Sequence, residues 1–524
     1  MITAADYWRP ETACGDLAAL RGATLADWFD HQVTRRPDAP AVIDGDHSRT
    51  WRQWDRLVRD LMAHWQAAGI HPGDVVGLHL PSSWHLAAAH VALARLGAVT
   101  AMLHRPYTPA EVSRLLTQVG ASMVVSGDGD APPRIHRWDP PGEMAWPEEQ
   151  NAATPDIHGP SLPASHPLAL FFTSGTEGPS PKACLHTHDG LLSNACWVAE
   201  DTDLRAEDCV MAASAFTHLF GCLALHLTVV SGARQVVLRR FSAARFWELA
   251  TRHAVSIAFA VPAQLYDLIA WRHQHPEAPA LPLRELRVAG AYLPADLAER
   301  AAAVLDVPLV SHWGMSELGA GSYTRATDPP AAAYTTIGRV TRGSEALIRD
   351  DAGRTVTMPG VTGSLLFRGP SLFMGYYRNP EATRAAYVGH DGRMWFQTGD
   401  LAHWTTTGQL AYGGRSKDLI NRGGMKVSPQ EVEAALQTLP AIRQAALLAE
   451  SDERLGERGL LVASVAPGAH LDLNLVRAHL EAAGLARFKW PERLVVWPEL
   501  PLTPTGKVAK GRLRTLLALD PPAS

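Results

Sequence analysis

Leu168-Ala169-Leu170-Phe171-Phe172-Thr173-Ser174-Gly175-Thr176-Glu177-Gly178-Pro179-Ser180-Pro181-Lys182 reads as a buried strand that runs straight into a glycine-rich polar turn. Such a turn at a strand end can aim backbone N–H groups and hydroxyls at phosphate oxygens, with Lys182 adding a point charge. It is not a Walker loop, because no Gly-Lys-Ser/Thr follows. Taken alone, it is also ordinary turn chemistry.

Outward from this stretch the same grammar repeats. Short apolar runs at Gln235 to Leu238, Ser256 to Val261, Leu286 to Ala289 and Pro308 to Ser311 read as further buried strands. Towards the N-terminus, Thr50 and Gln53 form a capping box for a helix from about Gln53 to Ala68. Its apolar face is Trp54, Leu57, Val58, Leu61 and Trp65, and Gly69 can end it. A Pro72-Gly73-Asp74 turn feeds a strand over Val75 to Leu80, a second helix passes through His90 and Leu96, and Thr108-Pro109-Ala110-Glu111 starts a third. Residues Gly127 to Pro167 lack periodicity and read as a long surface connector. This alternation predicts an α/β fold with a sheet covered by helices.

After Asp400 the pattern changes to short strands, a glycine-rich turn and the helix start Ser428-Pro429-Gln430-Glu431, which predicts a small α+β domain. With 524 residues the chain exceeds one hydrophobic core. The expected division is a large domain over 1–413, a junction over 414–418 and a small domain over 419–524.

Composition narrows the function classes. A formal net charge of -5 supplies no basic field for nucleic acid or an anionic membrane. The five cysteines show no metal-ligand spacing and read as free thiols of a cytoplasmic protein. Met1 to Leu20 lacks the apolar stretch of a signal peptide. Met211 to Ala233 contains no Asp, Glu, Lys or Arg, and a bilayer span takes about 20 residues. Its His218, His226, serines and threonines point instead to a buried helix.

Four more segments carry polar chemistry. In His312-Trp313-Gly314-Met315-Ser316-Glu317, which follows a strand, the glutamate can hold Mg²⁺ and the indole can stack on a base. Trp395-Phe396-Gln397-Thr398-Gly399-Asp400-Leu401 places a carboxylate on a turn, suited to a ribose diol. Gly414-Arg415-Ser416-Lys417-Asp418 and Thr503-Pro504-Thr505-Gly506-Lys507 bring cations on loops. Each alone fits solvated loop chemistry; their joint occurrence in this order does not.

The set resembles the adenylate-forming ligase superfamily, which includes acyl- and aryl-CoA synthetases, adenylation domains of peptide synthetases and beetle luciferases. The resemblance runs from about Leu25 to Leu516. It takes in Pro37-Asp38-Ala39-Pro40-Ala41-Val42, Gly363-Ser364-Leu365-Leu366-Phe367-Arg368-Gly369-Pro370, Gly375-Tyr376, Asn379-Pro380-Glu381-Ala382-Thr383 and Gly423-Gly424 before Ser428. It implies a luciferase-like, multi-sheet N-terminal domain with a small mobile C-terminal domain, using ATP and Mg²⁺.

By that resemblance Thr173, Ser174, Gly175, Thr176, Gly178 and Lys182 grip the β- and γ-phosphates, while Ser316 and Glu317 handle the α-phosphate and the metal. Trp313 with Gly290, Ala291 and Tyr292 sandwiches adenine, and Asp400 with Arg415 holds the ribose. Lys507 is the implied catalytic lysine, Lys417 the hinge, and Gly423 with Gly424 the lining of a thiol tunnel. His218 matches the gate beside an acyl pocket framed by Phe216, Gly290, Ala291, Gly314 and Met315.

The chain departs from the family pattern at Glu177, which replaces the usual second threonine, and by one extra residue before Pro181-Lys182. A carboxylate there repels triphosphate unless Mg²⁺ or Lys182 offsets it. Thr217 stands where α-amino-acid adenylation domains carry an aspartate, which argues against a standard α-amino acid, and the mostly apolar pocket favours an aromatic, alicyclic or medium aliphatic acid. Asp6-Tyr7-Trp8 and Gly290-Ala291-Tyr292-Leu293 look closest to free-standing aryl-acid adenylating enzymes.

No phosphopantetheine-attachment motif occurs in the chain, so the acceptor is coenzyme A or a separate phosphopantetheinyl carrier protein, with the ligase a monomer or homodimer. The basic run Lys507, Lys510, Arg512 and Arg514 can steer either acceptor or form a solvated helix face. Three rival readings stand: a free-standing β-amino-acid activator, a catalytically idle nucleotide-binding homologue, and a phosphotransferase releasing ADP.

Overall fold

Helices begin where capping chemistry is written into the chain. Thr50 Oγ1 accepts from the Gln53 N–H and the Gln53 side chain answers on the Thr50 N–H, opening Trp51–Ala67. Thr108 and Glu111 do the same for Pro109–Val119, which closes on Gly120 at φ 60. Each such cap contributes about 1 kcal/mol. The computed structural model describes residues 22–126, 136–138, 157–173, 181–422, 425–452, 455–503 and 508–519.

Two compact units result. The first comprises the described residues of Met1–Thr173, Pro181–Ala346 and Phe367–Phe396; the second those of Leu347–Leu366 and Gln397–Ser524.

The first unit holds two large sheets. One runs in spatial order Gly375–Tyr376, Ala183–Thr187, Pro167–Phe172, Val99–Met102, Val75–His79, Met123–Ser126 and His136–Trp138. The other runs Arg339–Val340, Gly319–Tyr323, Leu309–Met315, Glu285–Val288, Ile257–Ala260, Cys209–Ala212, Arg234–Val237, Pro40–Asp44 and His47–Thr50. Neighbours from Pro40–Asp44 through Leu309–Met315 are parallel.

Because strand side chains alternate, each sheet feeds two cores. Val76, Leu78, Leu168 and Phe171 of one sheet and Val210, Ala212, Ile257 and Phe259 of the other share a core with helices Leu25–Arg35, Trp51–Ala67, Trp84–Leu96, His188–Asp201 and Leu219–Ser231. The opposite faces pack separately. Leu170 and Phe172 meet Pro109–Val119, while Met211, Ala258 and Leu309 meet Ala243–Arg252, Pro262–Gln274 and Ala295–Leu305. Five alternating layers of helix and sheet follow, confirming the α/β expectation.

Two expectations need correction. The charge-free segment Met211 to Ala233 is not one helix: it ends the strand Cys209–Ala212, turns, and resumes as the 13-residue helix Leu219–Ser231. A strand inside a sheet is covered on both faces and reads as apolar as a buried helix. Among the described residues no helix is long and apolar enough to cross a membrane. The strand expected to stop at Ser311 continues to Met315, because Gly319–Tyr323 folds back antiparallel on it and supplies the hydrogen bonds.

In the second unit Met425–Val427, Ile420–Arg422, Gly456–Val465 and Ile442–Asp452 form a sheet, with Arg493–Val496 paired parallel to Gly456–Val465. Helices Pro429–Leu436 and Leu473–Ala482 cover it through Val432, Leu436, Val476 and Leu480. Lys510 Nζ lies 2.7 Å from Glu433 Oε1 with both side chains 16% exposed. Lys510 is therefore a packed ion pair and not a steering charge on a solvated face.

Candidate active site

Thr173 leaves the strand Pro167–Phe172, and its N–H donates to the Lys182 carbonyl at 2.9 Å. The Lys182 N–H returns a bond to Thr173 Oγ1 at 3.0 Å. The two residues thus pin both ends of the glycine-rich segment. Ser174, Gly175, Thr176, Glu177 and Gly178 lie outside the described residues.

Lys182 Nζ sits 4.6 Å from the centroid of the Tyr376 ring. Tyr376 is brought there by Gly375–Tyr376, which pairs antiparallel with Leu185 and Cys184. The Tyr376 O–H donates to Glu317 Oε1 at 2.9 Å. Glu317 lies on the turn between Leu309–Met315 and Gly319–Tyr323, and its carbonyl accepts from the Phe373 N–H at 2.8 Å. His186 Nε2–H donates to the Ser316 carbonyl at 2.7 Å. One tyrosine therefore links the lysine and the glutamate of two separate motifs, a role not apparent from Gly375-Tyr376 as a sequence pattern. A half-buried carboxylate suits a hard cation such as Mg²⁺, and its field adds to burial in pushing the Cys184 thiol well up.

Gly314 is required by close approach: a Cβ there would lie 1.9 Å from the Gly319 carbonyl oxygen. Gly290 follows the strand Glu285–Val288 at φ 87, a left-handed conformation that favours glycine. Next to it Ala291 is exposed and Tyr292 is 42% exposed. Trp313 is only 6% exposed and lies 6.1 Å from Phe367 between ring centroids. Met315 is half-buried.

Phe216 is buried, and its N–H donates to Ser82 Oγ at 3.0 Å. His218 holds the position just before the helix Leu219–Ser231, with no capping bond from its side chain. A residue that sequence reasoning missed, His104, joins this group: its Nδ1 is 2.9 Å from Thr217 Oγ1 and its ring centroid 3.8 Å from that of His218. Burial, then His218 and His79, hold His104 well below the usual histidine range, so it is neutral. His104 follows the strand Val99–Met102, and its proximity to Thr217 across 113 positions leaves no local sequence signal.

In the second unit Asp400 is not on a turn as expected. It lies inside the 12-residue strand Arg393–Trp404 and faces Arg415 directly across the ladder with Leu410–Arg415. Arg415 Nε is 2.7 Å from Asp400 Oδ1, with Asp400 3% and Arg415 34% exposed. The Asp400 N–H donates to Thr398 Oγ1 at 3.0 Å, and that hydroxyl donates to the Leu365 carbonyl at 2.7 Å. The cross-strand ion pair extends the ladder through a Gly-Asp step that otherwise signals a turn. Burial and Asp400 together raise the Tyr412 hydroxyl.

Lys417 lies in the short helical turn Ser416–Asp418 after this strand. Gly423, Gly424 and Lys507 lie outside the described residues.

The described residues thus bring Lys182, at the end of a motif that opens on a buried strand, together with Glu317 through Tyr376, and set a separate α+β unit after them; comparison with known proteins gives this arrangement its class. The model of the AMP-binding enzyme family matches residues 29–377, and that of the AMP-binding enzyme C-terminal domain matches 431–507. A salicylyl-CoA synthase / salicylate adenylyltransferase of Streptomyces is 32% identical, with 95% of this chain and 94% of the relative aligned. A salicyl-AMP ligase / salicyl-S-ArCP synthetase of Mycobacterium tuberculosis is 30% identical over 93% of this chain and 90% of its own length. The o-succinylbenzoate CoA synthetase of Bacillus subtilis, in complex with its acyl-adenylate, superposes with a TM-score of 0.83 at 22% identity, covering 94% of this chain and 99% of that one.

The chain belongs to the AMP-binding enzyme family of adenylate-forming ligases. It is an AMP-forming acid–thiol ligase, which uses ATP and Mg²⁺ to activate a carboxylic acid as its acyl-adenylate and then transfers the acyl group to the thiol of coenzyme A or a carrier protein.

Proposed function

We propose that the acid is aromatic and that the enzyme works in the cytoplasm. The observation that carries the substrate is the neutral Thr217–His104 pair, 2.9 Å apart, where an ammonium-bearing substrate would need a carboxylate. The salicylate-directed relatives support the same reading. The buried free thiols Cys184, Cys196, Cys209 and Cys222 support a reducing compartment. The finer acceptor is a phosphopantetheine arm, on coenzyme A or on a separate carrier protein, which bind through the same chemistry.

The residues divide the work as follows. Thr173, Ser174, Gly175, Thr176, Gly178 and Lys182 hold the β- and γ-phosphates; Ser316 orients the α-phosphate and Glu317 holds Mg²⁺. The bound metal neutralises phosphate charge. Gly290, Ala291, Tyr292 and Trp313 border adenine, and Asp400 accepts from the ribose hydroxyls while Arg415 pairs with that carboxylate. As the substrate carboxylate displaces pyrophosphate, negative charge builds on the α-phosphate oxygens, and the Lys507 cation offsets it. Phe216, His218, Gly314 and Met315 border the acyl group. The division proposed for this chemistry is 1–413 and 419–524 with Lys417 as hinge, a later cut than that of the compact units, whose second holds Gln397–Ser524; a swing of the small domain exchanges Lys507 for Gly423 and Gly424, which line the thiol path.

The test is ATP–pyrophosphate exchange with a panel of aromatic, alicyclic, aliphatic and β-amino acids, followed by coenzyme A or carrier protein with the best acid. Fastest exchange with an aromatic acid is expected. Preference for a β-amino or aliphatic acid overturns the substrate, and no exchange with any acid favours the idle homologue.

A further inference from the structure

Three side chains with no part in the proposed adenylation converge inside the core of the first unit. Cys222 and His226 are four residues apart on Leu219–Ser231, so one turn places both on the same face. His90 meets them from Trp84–Leu96. His90 Nε2 lies 3.1 Å from His226 Nε2, and Cys222 Sγ lies 3.5 Å from the same nitrogen. All three donor atoms fall within 4.8 Å of one another. Exposure is 0% for His90 and Cys222 and 1% for His226.

Hydrogen bonding alone serves this geometry poorly. His226 Nε2 carries either one hydrogen or one lone pair, yet it faces two partners. A shared cation removes the conflict, since each side chain then contributes one lone pair to the centre. Metal–nitrogen bonds of about 2.0–2.1 Å and metal–sulfur bonds of about 2.3 Å put ligand atoms roughly 3.3–3.8 Å apart, against the 3.1 and 3.5 Å that separate His226 Nε2 from His90 and Cys222. His90 Nδ1 is 3.0 Å from Thr100 Oγ1, the outer contact that turns Nε2 inward as a ligand.

We propose that His90, Cys222 and His226 form a binding site for a thiophilic d¹⁰ cation, copper(I) before zinc(II), that ties Trp84–Leu96 to Leu219–Ser231. Charge decides the order. One thiolate and two neutral imidazoles balance a monovalent cation, whereas a divalent one leaves a net positive charge where no water reaches. Two histidines and a cysteine are also the trigonal donor set of copper sites. Burial holds His90 down at about 3 and His226 well below its usual range, so both offer lone pairs at neutral pH. Burial raises the Cys222 thiol, so the entering cation must displace its proton, releasing one proton to solvent per cation bound.

The full chain, stripped of metal and kept anaerobic and reduced, is titrated with copper(I) against bicinchoninate, and separately with zinc(II) against a chromogenic chelator. One equivalent of copper(I) withheld from the competitor is expected, and its loss in Cys222→Ser and in His90→Leu. Retention of zinc(II) alone keeps the site and overturns copper(I). Retention of neither metal, or equal retention in both variants, overturns the site. Because core substitutions can unfold the chain, X-ray absorption on the copper-loaded wild type provides a variant-free reading: one sulfur and two nitrogens support the site, and a sulfur-free shell removes it.

Discussion

Glu317, on a turn between two strands, and Asp400, inside a strand, are both carboxylates, yet the groups placed on their oxygens differ in kind. Glu317 sits on a turn and receives a neutral phenol O–H from Tyr376. Asp400 is buried in a strand and meets the Arg415 guanidinium across the ladder. A phenol donates to a carboxylate and brings no charge of its own, whereas a guanidinium brings a compensating charge and leaves an acceptor for neutral hydroxyls. The same functional group is thus prepared for two tasks by its neighbour.

Predictions follow from that contrast. The largest concerns the charge both carboxylates are proposed to serve: Lys507→Ala should cut adenylation by about 10²–10³ while sparing thioester formation from supplied acyl-adenylate. Equal loss in both half-reactions removes the lysine from its role. Glu317→Gln keeps a side chain for Tyr376 to contact and removes only charge, so exchange should fall by about 10² with more Mg²⁺ needed for half-maximal rate. An unchanged Mg²⁺ titration would end the distinction between the two acids.

Asp400→Asn should instead raise the KM for ATP by about tenfold. It should also lower stability by about 1–3 kcal/mol in urea melts, since it strips Arg415, 34% exposed, of its counter-charge.

Acid should separate the two units themselves. The first buries His188, pushed down to about 3, alongside His104 and His312, both lowered mainly by burial. Their folded pKa values lie below the ordinary 6.5, so the unfolded state takes up protons first. Stability is fully present above about pH 6.5 and declines as pH falls towards 3, by up to about 1.4 kcal/mol per pH unit for each such histidine. Hydrogen exchange at pH 5 should therefore show the first unit losing protection ahead of the second. The smallest effect belongs to Tyr376→Phe, which deletes one bond to Glu317 at about 0.5–1.5 kcal/mol: a several-fold higher Mg²⁺ requirement with a melting temperature lower by only a few degrees.

The helix starts at Thr50 and Thr108 and the buried strand before Thr173 were legible in the chain because they rest on local chemistry: caps, periodicity and turns. The order of the polar motifs also sufficed to place the chain in its superfamily. Local rules failed at Asp400, where Gly-Asp resembles a turn until the facing Arg415 is known, and at Met211 to Ala233, where strand and helix are equally apolar.

By itself, then, the sequence determined the capped helix starts, the α/β class and the family, since each depends on residues within a few positions of one another or on linear order. Only the tertiary structure decided that His104 stands against Thr217 and His218, that Tyr376 joins Lys182 to Glu317, and that His90 meets Cys222 and His226. Those pairings come from sheet order and helix packing, and no pairwise signal in one chain encodes a contact between residues separated by scores of positions.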